Sequence, residues 1–253
     1  MSTEKEPPVI EVRQLHKRLG PQHVLRGLDL KVGRGETCVV LGRSGCGKSV
    51  LLKHLIGLMR PSDGRVLIDG EDITDLPERT LLKVRRKVGM LFQSAALFDS
   101  MTVEQNLAFP LKEQGMRDPN ELKERITEAL DMVDLLGSET KMPDKLSGGM
   151  RKRVGLARTI VGRPHCILYD EPTTGLDPIT TDSINHLIRR LQKRLSVTSV
   201  VVTHDMKTAF HCADRVVFLH EGQVYFEGSV DQLRASTDPV ISDFIEGRSG
   251  ESD

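Results

Sequence analysis

The chain has 253 residues, 38% of them hydrophobic, enough for one large domain with a sizeable core. Lys and Arg number 36 and so do Asp and Glu, and a net charge of zero gives no general pull toward nucleic acid or an anionic membrane. No apolar run approaches the roughly 18 to 20 residues of a membrane span. The four scattered cysteines, Cys38, Cys46, Cys166 and Cys212, read as reduced thiols and not as a disulfide framework or zinc site.

Residues Met1 to Pro8 are polar and proline-ended; they are expected to be disordered and carry no signal-peptide pattern. Val9 to Leu15 and Val24 to Val32 read as strands, with a turn at Gly20-Pro21. Gly33-Arg34-Gly35 turns into the apolar run Cys38 to Leu41. Gly42 to Ser49 then reads G-x-x-x-x-G-K-S and precedes a good helix sequence, Val50 to Ile56. Strand, glycine loop, helix is the order a phosphate-binding loop requires. Successive backbone N–H groups can turn inward on phosphate oxygens, and the helix N-terminus adds about half a positive charge. Gly42, Arg43, Ser44, Gly45, Cys46 and Gly47 would form the cradle. Lys48 would reach the β- and γ-phosphates, and Ser49 would hold Mg²⁺.

Arg65 to Ile68 reads as a strand, Pro77 to Arg86 as a helix and Val88 to Phe92 as a strand. From Ser94 to about Val161 strand signals fade, and Leu122, Ile126, Ala129, Leu130 and Val133 mark one buried face of a helix over Asn120 to Leu136. This is a helical insert. Strand signals return at Cys166 to Tyr169, followed directly by Asp170-Glu171. A strand-end carboxylate can hold Mg²⁺, and a second beside it can polarise a water. Asp182 to Leu195 reads as a helix, Val197 to Thr203 as a strand, and Arg215 to His220 with Gln223 to Phe226 as a hairpin. A short helix follows Pro239. Strands alternating with helices imply an α/β fold with a largely parallel sheet and this α-helical insert.

Ser147 is a natural N-cap for the helical run that starts at Gly148-Gly149-Met150. The basic clusters Arg85-Arg86-Lys87, Arg151-Lys152-Arg153 and Arg189-Arg190 read as solvated helix faces and not as a nucleic-acid surface. Cys46, beside Lys48 and a helix N-terminus, is expected to have a lowered pKa; its alkylation should block nucleotide hydrolysis, and bound nucleotide should protect it.

The whole set of motifs resembles the ABC ATPases, the nucleotide-binding subunits of ATP-binding-cassette transporters, from about residue 9 to residue 245. The resemblance implies a P-loop NTPase (RecA-like) core with a mainly parallel sheet over about 9–93 and 163–246, an N-terminal antiparallel β part, an α-helical part over about 94–162 and a short polar tail at 247–253. It places Gln93 at the Q-loop as a metal contact and Leu146 to Met150 at the signature loop. It makes Asp170 a Mg²⁺ ligand and Glu171 the general base, puts Asp177 in the D-loop and sets His204 at the γ-phosphate. Two copies would sandwich two ATP, each nucleotide lying between one copy's phosphate loop and the other's Ser147, Gly148 and Gly149. Leu19 stands where an aromatic commonly stacks on adenine, so apolar packing is expected to hold the base.

Within that family, Met90 to Ser100, Asn106 to Leu111, the signature ending in Met150 and Tyr169 to Pro178 are similar to the Mla-type branch. That branch powers phospholipid traffic in the cell envelope. It implies a peripheral position on the cytoplasmic face of the inner membrane, a permease and a lipid-binding component. The apolar patch Ala95, Ala96, Leu97, Phe98 and Met101 would receive a helix of the permease. The tail is short beside the extensions of some members, so pairing of copies is expected to rest on the ATP sites and the permease. The other transport assignment is the ATPase of a polar-solute importer of amino-acid type.

Overall fold

The computed structural model describes residues 7–248, so the expected disorder of residues 1–6 and most of the polar tail lie outside the described residues. The chain is organised around strand β3, Thr37–Leu41, in which all five residues are buried. A strand covered on both faces reads as one apolar run, which is how this one looks in the sequence. β3 pairs in parallel with β8, Thr198–Thr203, and with β9, Arg215–His220. β8 pairs in parallel with β7, Cys166–Asp170, and β7 with β6, Val88–Leu91. The antiparallel hairpin strand β10, Gln223–Gly228, completes a sheet of order β10-β9-β3-β8-β7-β6.

Alternation along these strands feeds two cores. Val39 and Leu41 of β3 enter one cluster with Ile167, Tyr169 and Val201; Cys38 and Val40 enter the other with Cys166, Leu168, Val200 and Val202. The second core is shared with α1, Lys48–Leu55, and with an antiparallel sheet of order β2-β1-β4-β5. That sheet holds β1, Ile10–Leu19, β2, Gln22–Val32, β4, Asp63–Ile68, and β5, Glu71–Asp72.

The first core is shared with the helical insert: α3, Val103–Glu113, α4, Pro119–Met132, and α5, Gly148–Ile160. The stripe expected on α4 is buried in full. Each insert helix has a side-chain cap: Thr102 in a capping box with Gln105, Asp118 ahead of Pro119, and Ser147 accepting from Met150 N at 3.2 Å. α2, Glu78–Lys87, precedes β6.

Past the insert, α6 spans Pro178–Leu195, α7 Met206–Cys212, α8 Val230–Arg234 and α9 Pro239–Glu246. In the parallel register Leu41 stands opposite Thr203, and Asp170 opposite Val202. The loops that leave β3, β7 and β8 therefore share one edge, the carboxyl end where such sheets place their sites.

Candidate functional site

The phosphate loop is wound too tightly for side chains at two points. A Cβ on Gly42 would stand 2.5 Å from Cys46 Sγ and 2.6 Å from Leu219 O. Gly47 has φ +106°, and a Cβ there would stand 2.7 Å from Leu25 Cδ2. Lys48 is only 7% exposed, and its ammonium donates to Gly42 O at 2.7 Å and Arg43 O at 3.1 Å. Held over its own loop by neutral carbonyls, with its nearest carboxylate, Glu171, at 3.9 Å, the ammonium is placed to pair with an incoming anion.

Ser49, on the first turn of α1, donates its hydroxyl to Asp170 Oδ1 at 2.9 Å. Burial pushes the Asp170 carboxyl up, against the pull of the Ser49 hydroxyl. A half-buried carboxylate and a hydroxyl, both oxygen donors, fit a hard divalent cation such as Mg²⁺.

Glu171 follows with φ +48°, a left-handed conformation unusual outside glycine. Its N–H still extends the sheet, donating to Val202 O at 3.0 Å. Its carboxylate faces His204 Nδ1 at 2.9 Å, accepts from Thr174 Oγ1 at 3.2 Å, and lies 3.9 Å from Lys48 Nζ. Lys48, Ser49, Glu171 and His204 line a cleft of about 270 Å³ with Ser44, Gly45, Gly47, Gln93 and Val24, and Asp170 is joined to it through the Ser49 hydroxyl. Leu19, 44% exposed at the end of β1, does not line it.

Ser147, Gly148, Gly149 and Asp177 do not line this cleft either. Gly148 and Gly149 lie against the loop and first turn of α6: their Cβ positions would meet Leu176 Cδ2 at 3.5 Å and Thr180 Cγ2 at 2.6 Å. Asp177 caps α6, accepting from the N–H groups of Ile179 and Thr180. Within one copy, then, the structure splits the expected site residues into two groups.

Residues 25–174 match the family profile described as "ABC transporter". The chain belongs to that family. It is 41% identical to the "probable ribonucleotide transport ATP-binding protein mkl" of Mycobacterium leprae over 239 residues, covering 94% of this chain and 69% of that protein. It is 39% identical to the "intermembrane phospholipid transport system ATP-binding protein MlaF" of Haemophilus influenzae, covering 95% of this chain and 91% of MlaF. It is 41% identical to the "methionine import ATP-binding protein MetN" of Rhizobium johnstonii, covering 92% of this chain but 64% of MetN. Among solved structures, a dimeric post-hydrolysis state of an ATP-binding cassette bound to ADP and Pi superposes with TM-score 0.80 at 33% identity, covering 87% of this chain and 98% of that one. This ABC chain is an ATPase, and the mainly parallel sheet, antiparallel β part and helical insert are the fold its motifs imply.

Three expectations need correction. Burial pushes the Cys46 thiol up, outweighing the Lys48 charge, so it is not an activated thiolate. The apolar patch is divided. Ala95 is buried against Gly155, and Leu97 packs on the insert core. Ala96 and Phe98 of the expected patch do line a groove of about 440 Å³, which Phe92, Phe109, Pro110 and Leu58 complete.

Third, the basic clusters are not merely solvated faces. Arg85 donates to Ile56 O and Gly57 O, and Lys152 is buried, its ammonium bonding Gln93 O and Glu171 O. Burial pushes the Lys152 ammonium down, with Asp170 and Glu171 pulling it back. Sequence reasoning missed this residue; the available signal was its place one turn before Leu156 on the buried face of α5.

A group of metal-type side chains outside the cleft, Asp182, His186 and His211, lies on α6 and α7. The nearby Arg189, whose charge helps hold His211 down, opposes a cation there.

Proposed function

We propose that this ABC ATPase works as a pair of copies that close on two ATP and drive a membrane permease for phospholipid in the cell envelope. The observation that carries the chemistry is the meeting of Lys48, Ser49 and the Glu171–His204 pair in one cleft, with Asp170 hydrogen-bonded to Ser49 behind it. The loop N–H groups and Lys48 bind the phosphates; Ser49, Asp170 and Gln93 would hold Mg²⁺, which when bound neutralises the charge on the β- and γ-oxygens. Glu171 takes the proton of the attacking water, and His204 moves to the γ-phosphate. Ser147, Gly148 and Gly149, with Asp177 beside them, cap the nucleotide of the other copy, so the two groups of site residues rejoin only across a two-fold contact. The separation of these groups within one copy supports that reading.

Residues 9–246 act as one domain, with about 94–162 as its helical part. The groove lined by Phe92, Phe98 and Phe109 receives the permease, since an apolar patch kept exposed marks an interface. Among the described residues no helix is long and apolar enough to cross a membrane. The chain sits on the cytoplasmic face of the inner membrane through its permease, with a lipid-binding component in the same assembly. The phospholipid assignment rests on the branch-like motifs and on MlaF, which is matched over 91% of its length. MetN is matched over only 64%. The test is purification from membranes followed by ATPase assay of the complex in vesicles. Stimulation by phospholipid is expected; stimulation by methionine instead would overturn the lipid assignment.

A further inference from the structure

The helix that starts at the signature loop reaches back to the loops that line the cleft of its own copy. α5 begins behind its N-cap Ser147, and five residues on, about 7.5 Å along the axis, stands Lys152. This lysine is 5% exposed. Its ammonium donates to the main-chain oxygen of Gln93 and, at 3.3 Å, to that of Glu171. Buried lysines are rare unless paired, and here the partners are two carbonyls, one on each of two loops that line the cleft.

Both carbonyls belong to residues whose backbone placement decides where a functional side chain points. Glu171 is held in the left-handed region, φ +48°, a conformation that persists only when its surroundings enforce it. The main-chain contacts that hold it are its N–H to Val202 O and, on its carbonyl, the Thr174 N–H and the Lys152 ammonium, each at 3.3 Å. Gln93 follows the end of β6 in an exposed loop, and Lys152 is the side chain that fastens its carbonyl.

We propose that Lys152 is a positioning residue for ATP hydrolysis, fastening the backbones of Gln93 and Glu171 to the signature helix so that the Glu171 carboxylate and the Gln93 amide stay aimed into the cleft. The proposal rests on the roles given above to Glu171, Gln93 and Ser147. It also makes α5 a rigid link: one end caps the nucleotide of the other copy, while Lys152 holds the hydrolytic groups of its own.

The test uses the full chain with its permease and three variants: Lys152→Met, Lys152→Arg and Glu171→Gln. Steady-state ATPase gives kcat and KM, and a fluorescent ATP analogue without divalent cation gives Kd. For Lys152→Met kcat falls by about 10²-fold, the cost of a misplaced catalytic group, with Kd within about threefold of the parent. Lys152→Arg, which keeps the donors, recovers most of kcat. A Lys152→Met protein with kcat within twofold of the parent overturns the proposal, as does failure of Lys152→Arg to rescue. If Lys152→Met cannot bind nucleotide at all, Lys152→Leu, which has no donor, decides: a kcat at least about tenfold below the parent with Kd kept supports the proposal, and a kcat within twofold of the parent overturns it. Undiminished kcat in Glu171→Gln would instead overturn the base assignment. Loss of activity there with Lys152→Met unaffected overturns only the role given to Lys152.

Discussion

Nδ1 of His204 lies 2.9 Å from Oε2 of Glu171 and 3.0 Å from Oε1, so the imidazole faces the whole carboxylate. Thr174 Oγ1 and Thr203 Oγ1 also reach Oε2, at 3.2 and 3.4 Å. A base so occupied has little room for a water. On the function proposed above, nucleotide must part the pair, drawing His204 to the γ-phosphate and freeing Glu171.

Glu171→Gln keeps the shape and the contacts with Thr174 and Thr203 but removes the proton acceptor. Its kcat should fall by about 10²- to 10⁴-fold, while ATP affinity, measured without turnover, stays within a few-fold. A loss of affinity equal to the loss of kcat would make Glu171 a binding group instead.

Cys46 should react slowly. Burial holds its thiol above the ordinary range, so thiolate is scarce at neutral pH. Iodoacetamide labelling of Cys46, followed by mass spectrometry, should be slower at pH 7.5 than labelling of free cysteine and should accelerate as pH rises past about 8.5. Bound ATP should slow it further. Fast labelling at neutral pH would show that Lys48 and the helix terminus dominate after all.

Phe98 is 41% exposed, with its ring 4.9 Å from that of Phe109 and the Arg158 guanidinium 5.7 Å from its centroid. As an aromatic anchor, its truncation in Phe98→Ala should weaken permease binding by about 2 kcal/mol, roughly 30-fold. The ATPase rate of the isolated chain should be unchanged. Co-purification and surface plasmon resonance against the permease measure this; equal affinity of both proteins would remove the groove from the interface.

His54 adds a pH dependence to stability. It is 1% exposed, with Nδ1 2.7 Å from Val50 O and Nε2 without a partner, and burial lowers its pKa. The folded state therefore resists a proton that the unfolded chain accepts below about pH 6.5. Its contribution is full above that pH and shrinks as pH falls toward the lowered folded value. Urea midpoints at pH 7.5 and 5.5 should differ less in His54→Leu than in the parent; an equal difference would assign the acid sensitivity elsewhere.

Much of this molecule was legible where sequence and burial share one period. Cys38 to Leu41, Cys166 to Tyr169 and Val197 to Thr203 announced the parallel sheet because both their faces are covered. β1 runs on to Leu19, past its expected end at Leu15, because register shifts between Val12 and Leu15 and the positive φ of Gln14 break the alternation. α6 starts at Pro178, four residues before its expected start; the overlooked signal was the Asp177 cap with proline next to it. α7 and α8, of seven and five residues, are too short to show a period. The phosphate loop, Asp170, Glu171, Gln93 and His204 were nameable from their order in the chain; Ser44, Gly45, Gly47, Lys48, Ser49, Gln93, Glu171 and His204 line one cleft, and Asp170 bonds Ser49 at its edge. Lys152 was hidden because a lysine beside two arginines looks like surface, and only the fold reveals the carbonyls it satisfies.

Whether two copies grip one nucleotide between them is decided by the structure of Glu171→Gln loaded with ATP. Ser147 Oγ of one copy should lie within hydrogen-bonding distance of a γ-phosphate oxygen on the Lys48 loop of the other, at both sites. Nucleotide bound to one copy alone, with Ser147 remote from every γ-phosphate, would contradict it.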